Sequence, residues 1–482
     1  METRSRKILI FGLGRSGVGA ANLLSDSGAD VTVTDRKPGA ELREYVRRLS
    51  PSVKLCLGGY PENMNGTDLI VVSPGVPLEI EPIAKARGKG IKIIGELELA
   101  YGMTRSREHG AGGRIPFLAV TGSNGKSTTT TLLDMMLRKG GFRTLLGGNI
   151  GNALTEEIQK AITKVKAEVK EKENLNLDLA DFVVVEVSSF QLESIDEFKP
   201  LGATILNISP DHLDRYHSMD EYSDAKAAIF RNQDEKDYLV LNADDPETMK
   251  VYKTFKVQRS TFPKTFFFSR KKEVEGVYLK NGAVYFNVFN STLETQNSKL
   301  IGVDEIRIKG VHNLENAMAA SAMALLAGCS PDAVAATLRE FPGLEHRLEF
   351  VRELEGVRYM NDSKGTNVGA VMKSLEGFPE PVILIAGGRD KAGDFGQLRP
   401  LVREKVKALI LIGEAAEKIK GVLGDLTDTV FASDLLDAVK RARELAKRGD
   451  VVLLSPACAS FDMFRDFEDR GHQFKKLVRG LS

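Results

Sequence analysis

Cysteine is scarce in this chain of 482 residues: Cys56, Cys329 and Cys458 are odd in number, far apart and free of Cys-x-x-Cys spacing. That excludes a disulfide framework and a cysteine zinc site, and it points to a reducing compartment. Charge of one sign is lacking too. Lys and Arg number 67 against 66 for Asp and Glu, so there is no global field to hold nucleic acid or an anionic membrane, and any anion site has to be local. No apolar run approaches the length of a bilayer crossing, and the charged residues 1–6 pass straight into a strand, so neither a membrane span nor a signal peptide is expected. These absences predict a cytoplasmic protein, and the length predicts about three domains with sizeable cores.

What the chain does carry begins at residues 116–130. The run Pro116-Phe117-Leu118-Ala119-Val120 leads into Thr121-Gly122-Ser123-Asn124-Gly125-Lys126-Ser127-Thr128 and then into Leu132-Leu133-Asp134-Met135-Met136-Leu137. A buried strand, a glycine turn and an amphipathic helix in that order present free backbone N–H groups at a helix N-terminus, where phosphate oxygens are held. Lys126 is expected to reach the β- and γ-phosphates as a point charge, and Ser127 to offer its hydroxyl to Mg²⁺. Val120 stands where the common Gly-x-x-x-x-Gly-Lys-Ser pattern has glycine, so the loop is a tighter variant. Residues 181–193 form a continuous β-branched strand with one acid near its end, Glu186, the natural second ligand for Mg²⁺. The strand at 203–208 ends in Asp211-His212-Leu213-Asp214-Arg215-Tyr216, which sets His212 among acids at the same sheet edge. By spacing alone Lys226, on an alanine-rich helix at 221–230, is an ordinary lysine.

The first hundred residues tell a second story. Residues 7–11 form a strand, followed by Gly12-Leu13-Gly14-Arg15-Ser16-Gly17, a helix, and a strand at 31–35 that ends on Asp35. This is the dinucleotide fingerprint, and by itself it suggests a dehydrogenase; the same geometry serves any nucleotide-bearing ligand, with Asp35 accepting from a ribose or a uracil N–H. The strand at 69–72 runs into the turn Ser73-Pro74-Gly75-Val76 at the ligand-binding edge of such a sheet. A hinge is expected near 96–115, and 156–173 is read as a solvated surface helix without chemistry. Asn149, in a glycine turn, either bonds a ligand or holds the turn, and Asn281-Gly282 closes a type I′ hairpin over 276–286. Asn313 and Asn316, three apart on one helical face, either grip a purine or ribose or cap. After residues 342–347, strands at 357–361, 381–387, 408–412, 429–432 and 451–455 predict a second doubly wound sheet, whose loops carry the polar residues of an acidic-substrate pocket. Cys458 is expected to pack rather than react. The fold class is α/β in three domains: Rossmann-like over 1–97, a P-loop ATPase-like unit with a mostly parallel sheet over 98–343, and Rossmann-like again over 344–482.

Taken together, the strings at 121–128, 186–193, 211–216, Asn361-Asp362-Ser363-Lys364 and Ser455-Pro456-Ala457-Cys458-Ala459-Ser460 resemble the Mur ligase family over nearly the whole chain. Within the family they are most similar to the branch that adds D-glutamate to UDP-N-acetylmuramoyl-L-alanine in peptidoglycan synthesis. The resemblance implies ATP and two Mg²⁺ ions, with Ser127, Glu186, His212 and a carbamylated Lys226 as metal ligands, and Lys126 catalytic beside the last three. It implies ATP contacts at Gly122, Ser123, Asn124, Gly125, Lys126, Ser127, Thr128, Asn313, Asn316, Arg347, Asp362 and Lys364. The UDP-substrate falls to Gly14, Arg15, Ser16, Asp35, Arg36, Ser73, Asn149 and His212, and D-glutamate to Thr366, Lys391, Ser460 and Phe467. The expected partners are these small molecules and no nucleic acid, and a monomer is expected. Competing readings are a sibling or folylpolyglutamate-type ligase with another amine, an NAD-dependent dehydrogenase, and a nucleotide-gated binding module.

Overall fold

Apolar runs flanked by glycine turns become the interior strands of three sheets in the computed structural model, which describes residues 3–61, 63–104, 114–168, 180–212, 215–287 and 297–481. The first sheet is wholly parallel: β1 (Lys7–Phe11), β2 (Asp30–Asp35), β3 (Lys54–Leu57), β4 (Leu69–Val72) and β5 (Lys92–Gly95), in the order β3-β2-β1-β4-β5. The order reverses beside β1, so the turns after β1 and β4 face each other across the crevice where such sheets bind ligands. Gly17 has to be glycine there, because a Cβ would sit 2.0 Å from the Gly12 carbonyl oxygen.

The central sheet has nine strands among the described residues. These are β6 (Phe117–Thr121), β7 (Thr144–Gly148), β8 (Phe182–Glu186), β9 (Gly202–Ile205), β10 (Tyr238–Asn242), β11 (Lys264–Ser269), β12 (Gly276–Lys280), β13 (Ala283–Asn287) and β14 (Ser298–Gly302). Their order, β14-β13-β12-β11-β10-β9-β6-β8-β7, buries β6 between β8 and β9 and so sets the phosphate loop in the sheet's interior. All pairs are parallel except the terminal meander of β12, β13 and β14, whose Asn281 and Gly282 both have positive φ as a type I′ turn requires. The strand expected over 203–208 stops at Ile205, because Asn207 leaves the ladder to bond the phosphate loop: its carbonyl accepts from Ser123 N and its Oδ1 from Asn124 N, both at 2.9 Å. The helix Val311–Leu326, rich in alanine, lies closely on the helix Lys126–Lys139, and the two share one core.

The third sheet has the order β15-β16-β20-β17-β18-β19, with β15 (Glu349–Leu354), β16 (Val357–Asn361), β17 (Val382–Gly387), β18 (Val406–Ile412), β19 (Asp428–Phe431) and β20 (Val451–Leu454). Only β15 is antiparallel. The three mostly parallel sheets with helices on their faces agree with the α/β class read from the sequence.

One expectation is corrected. The supposed surface helix runs over Leu154–Glu168, and its first turns are an inter-domain joint: Leu154, Thr155 and Ile158 are fully buried, packed with Leu23 of the helix Arg15–Asp26 and Leu97 of the helix Glu96–Met103. Glu96 Oε1 accepts from Thr155 N and Thr155 Oγ1, both at 2.8 Å, while the Glu98 carboxylate takes the backbone N–H groups of Asp196, Glu197 and Phe198. The start of the expected hinge is thus a helix tied to the central unit. Residues 105–113 of that hinge, residues 169–173 of the expected helix, and Leu213 and Asp214 of the histidine string lie outside the described residues. No helix among the described residues is long and apolar enough to cross a membrane.

Candidate active site

β6 ends on Thr121, the chain turns through Gly122 (φ 150°) and Gly125 (φ 90°), and the helix begins at Lys126. At Gly125 any Cβ would lie 2.2 Å from Asn316 Oδ1, so glycine is what admits that amide to the loop. Lys126 Nζ donates to the carbonyls of Gly122 at 2.8 Å and Ser123 at 2.9 Å, and burial is the main force drawing its pKa down. Ser127 is buried, and its Oγ is 2.7 Å from Lys364 Nζ. Thr128 Oγ1 is buried without a hydrogen-bond partner among the described residues.

Glu186 closes β8 opposite Val120 and is 2 % exposed. Its Oε1 accepts from Asn149 Nδ2 at 2.9 Å, while its Oε2 is buried with no hydrogen-bond partner among the described residues. A buried carboxylate oxygen left in that state on the strand next to the one that leads into the phosphate loop suits a hard cation such as Mg²⁺, which takes oxygen ligands. Lys226 is not the ordinary lysine that its spacing suggests. It is 1 % exposed, donates to Gly122 O at 3.0 Å and sits 4.4 Å above the Tyr222 ring. Burial first, then the neighbouring Lys126 charge, hold its pKa well below the lysine range. A lysine that gives up its proton so readily is a nucleophile for CO₂, so the chemistry of carbamylation fits the position. His212 has φ 56°, lies edge-on to Phe190 at 4.8 Å between ring centroids, and has Nε2 3.7 Å from Asp211 Oδ2.

Three cavities carry the expected site residues. One, at the ligand edge of the first sheet, is lined by Gly14, Arg15, Ser16, Asp35, Arg36, Ser73 and Asn149, the last of which bonds Glu186. Asp35 is partly spent on its own turn, accepting from Leu13 N and Lys37 N at 2.8 Å, and Ser73 Oγ donates to Gly12 O at 2.9 Å. Arg15 reaches across to the Gly151 carbonyl at 3.2 Å.

A second cavity lies between the central and C-terminal units, with Asn124, Gly125, Asn316, Arg347, Asp362 and Lys364 in its wall. Asn316 Nδ2 is buried without a partner among the described residues. Asn313 is not in this wall: its amide donates back to Lys309 O at 2.8 Å and lines a neighbouring cleft. Asp362 is buried, its pKa raised by that burial, and it accepts from Ser374 Oγ at 2.7 Å and Ser455 Oγ at 2.6 Å. Ser374 and His312 belong to the wall and were missed from the sequence; His312 precedes the flagged Asn313 in the same helical turn, which was the available signal.

The third cavity joins Asp211 and His212 to Thr366 and Lys391. Asn367 also lines it, donating to Asp211 Oδ2 at 3.1 Å, and sequence reasoning did not single it out. Ser460 and Phe467, expected to share a ligand with Thr366 and Lys391, are not in its wall. Ser460 is buried, its carbonyl accepting from Met463 N and Phe464 N, and the Phe467 ring lies 5.1 Å beneath Lys364 Nζ on the nucleotide side. Glu345, His346 and His472 also cluster, but Lys475 is bonded to Glu345 and Asn361 Nδ2 to His346 Nδ1, so that group is already satisfied by its neighbours.

Comparison with known proteins follows the same three units. The family model of the MurD-like N-terminal domain matches residues 6–95, that of the Mur ligase middle domain residues 120–324, and that of the Mur ligase glutamate ligase domain residues 346–458. A UDP-N-acetylmuramoylalanine--D-glutamate ligase of Geotalea daltonii is 45% identical over 485 aligned residues, covering 100% of this chain and 99% of its own. The chain belongs to the Mur ligase family. A Caldanaerobacter subterraneus protein of the same name as the Geotalea ligase is 43% identical, with 100% of each chain covered. Solved structures of the Mur ligase fold agree in architecture. A pseudomurein peptide ligase type C from Methanothermus fervidus aligns with TM-score 0.60 at 18% identity over 99% of this chain and 100% of its own. The UDP-N-acetylmuramate-alanine ligase of Thermotoga maritima aligns with TM-score 0.57 at 20% identity over 98% and 99%.

Proposed function

We propose that this Mur ligase joins D-glutamate to UDP-N-acetylmuramoyl-L-alanine at the expense of ATP, in peptidoglycan precursor synthesis. The full-length similarity to ligases of that name supports the reaction, and one geometric observation carries it: Asn124 and Gly125 of the loop line the second cavity, Ser209, bonded to Ser123, lines both the second and the third, and Asn149 of the first is bonded to Glu186. The dehydrogenase reading of the first glycine turn leaves those links without a purpose. We divide the chain at 97/98 and 343/344, and take it to act in the cytoplasm as a monomer.

The UDP end of the acceptor rests in the cavity of Gly14, Arg15, Ser16, Asp35, Arg36 and Ser73, and Asn149 leads its carboxylate towards Glu186. ATP lies in the second cavity, with Asn316 at the base, Arg347 and Asp362 at the ribose and phosphates, and residues 122–128 around the phosphates. The acceptor carboxylate attacks the γ-phosphorus, ADP leaves, and Lys126 with Lys364 offsets the charge on the transferring group. Ser127, Glu186, His212 and Lys226 as its carbamate would hold Mg²⁺, which supplies charge neutralisation at the phosphates. D-glutamate, held by Thr366 and Lys391 across from His212, attacks the acyl carbonyl with its amine and expels phosphate. Closure around the acyl phosphate keeps water from it. Phosphate release from ATP with UDP-N-acetylmuramoyl-L-alanine, measured with and without D-glutamate and across a panel of other amino acids, tests the reading. D-glutamate-dependent release is the expected result; release driven by another amine moves the chain to a sibling activity, and ATP binding without any release leaves only a binding module.

A further inference from the structure

Arg470, in the C-terminal helix Phe467–Arg479, is among the largest fully buried side chains of the molecule, and among the described residues no carboxylate lies within ion-pairing distance of it. Burial lowers its pKa to about 10, so the guanidinium remains charged at neutral pH. A buried cation without an acid partner is costly, and an apolar side chain of similar volume fills such a space without that cost. What the arginine has that an apolar residue lacks is its fork of donors.

The fork is spent on two loops. Nε donates to Ser363 Oγ at 3.0 Å and Nη2 to the Ser363 carbonyl at 2.9 Å, while Nη1 and Nη2 both reach the Cys458 carbonyl at 3.3 Å. Ser363 lies between Asp362 and Lys364, which line the nucleotide cavity; Cys458 follows Ala457, which lines the cavity of Thr366 and Lys391. Ser363 Oγ in turn donates to the Phe467 carbonyl at 2.8 Å, closing a ring from the nucleotide loop through the C-terminal helix to the other loop.

We infer that Arg470 is a positioning residue that fastens the nucleotide loop to the amino-acid loop, so that the seats for ATP and for the incoming amino acid shift as one body. The inference rests on the ligase reading above. It accounts for a buried arginine that forms no ion pair, and it gives Cys458 a role through its backbone while its thiol stays inert, pushed up to about 12 by burial.

Two variants test it, Ser363→Ala, which removes the Nε acceptor, and Arg470→Lys, which keeps the charge and loses the fork. Each is measured for thermal midpoint, for KM of ATP, D-glutamate and UDP-N-acetylmuramoyl-L-alanine, and for ADP affinity by calorimetry. With the folded fraction matched to the parent, the expected result is a parallel rise in KM for ATP and for D-glutamate of roughly 2- to 30-fold, weaker ADP binding, and an unchanged KM for the UDP-substrate. Unchanged ADP affinity and unchanged KM values, or a shift confined to one of the two ligands, overturns the clamp. Absence of D-glutamate-dependent turnover in the parent enzyme overturns the ligase reading instead, and unchanged ADP affinity in the variants then still overturns the clamp.

Discussion

Lys364 Nζ lies 2.7 Å from Ser127 Oγ, so the third domain places a cation directly against the first turn of the phosphate-loop helix. With Lys126 on the loop itself, two basic side chains from different domains flank the turn proposed to hold the phosphates. Their contributions differ in kind, because Lys126 belongs to the loop whereas Lys364 arrives only with the C-terminal unit.

Replacing Lys126 by alanine is therefore expected to lower ATP-dependent product formation by about 10²-fold or more, the scale of losing a donor at a centre of developing charge. Affinity for the UDP-substrate, seated in the first domain, is expected to stay unchanged. Steady-state rates together with calorimetric titration of the UDP-substrate check both halves. Unaltered turnover removes the loop from the chemistry.

Lys226→Ala is expected to abolish activity, with partial recovery on adding short carboxylic acids that stand in for a carbamate. Because the folded-state pKa is drawn far down, the amine is deprotonated in the folded protein well below the usual lysine range. Labelled bicarbonate should consequently give a carbamate carbon signal in the parent protein that is missing from the variant. Full activity of the variant without additive shows the lysine to be inert.

His312 gives a pH-dependent stability with a defined sign. Burial, aided by Arg347, lowers its pKa from 6.5 to about 4, so in that window the unfolded chain binds a proton that the folded one refuses. Stability from this group is whole above 6.5 and is lost as the pH falls towards 4. Urea midpoints over this range should decline more steeply for the parent than for His312→Gln. Equal slopes would contradict the assignment.

The joint between the first two domains offers a stability test away from the chemistry. Glu98→Ala strands three backbone N–H groups and is expected to cost about 2–5 kcal/mol, read as a shift of the denaturation midpoint. Glu96→Gln retains an acceptor for Thr155, and since burial already pushes the Glu96 pKa upward, its cost is expected to stay within about 1 kcal/mol.

Sequence legibility followed burial. Lys7–Phe11, Leu69–Val72 and Phe182–Glu186 were readable as strands because parallel strands covered on both faces are continuous apolar runs. Lys54–Leu57, Lys92–Gly95 and Glu349–Leu354 were not, since they are edge strands with charged residues and half-exposed faces. The phosphate loop is a local pattern, and so is an acid ending an apolar strand, which is why Lys126 and Glu186 stood out. Nothing local distinguishes Lys226: its character comes from burial and from the Lys126 charge, which only the fold brings beside it. Asn313 and Asn316 look alike in sequence, yet the rotation between them turns one back onto Lys309 and the other to Gly125. Arg470, one of many arginines on paper, is set apart only by what the folded chain wraps around it.

The carbonyl of Gly122 accepts from Lys126 at 2.8 Å and from Lys226 at 3.0 Å. Two amines leaning on a single oxygen, out of reach of water, cannot comfortably both keep a proton, and Lys226 is the one pushed far towards the neutral form, the Lys126 charge being one cause. A shared acceptor thus divides two chemically identical side chains into unlike roles, a cation kept on the loop and a free amine beside it.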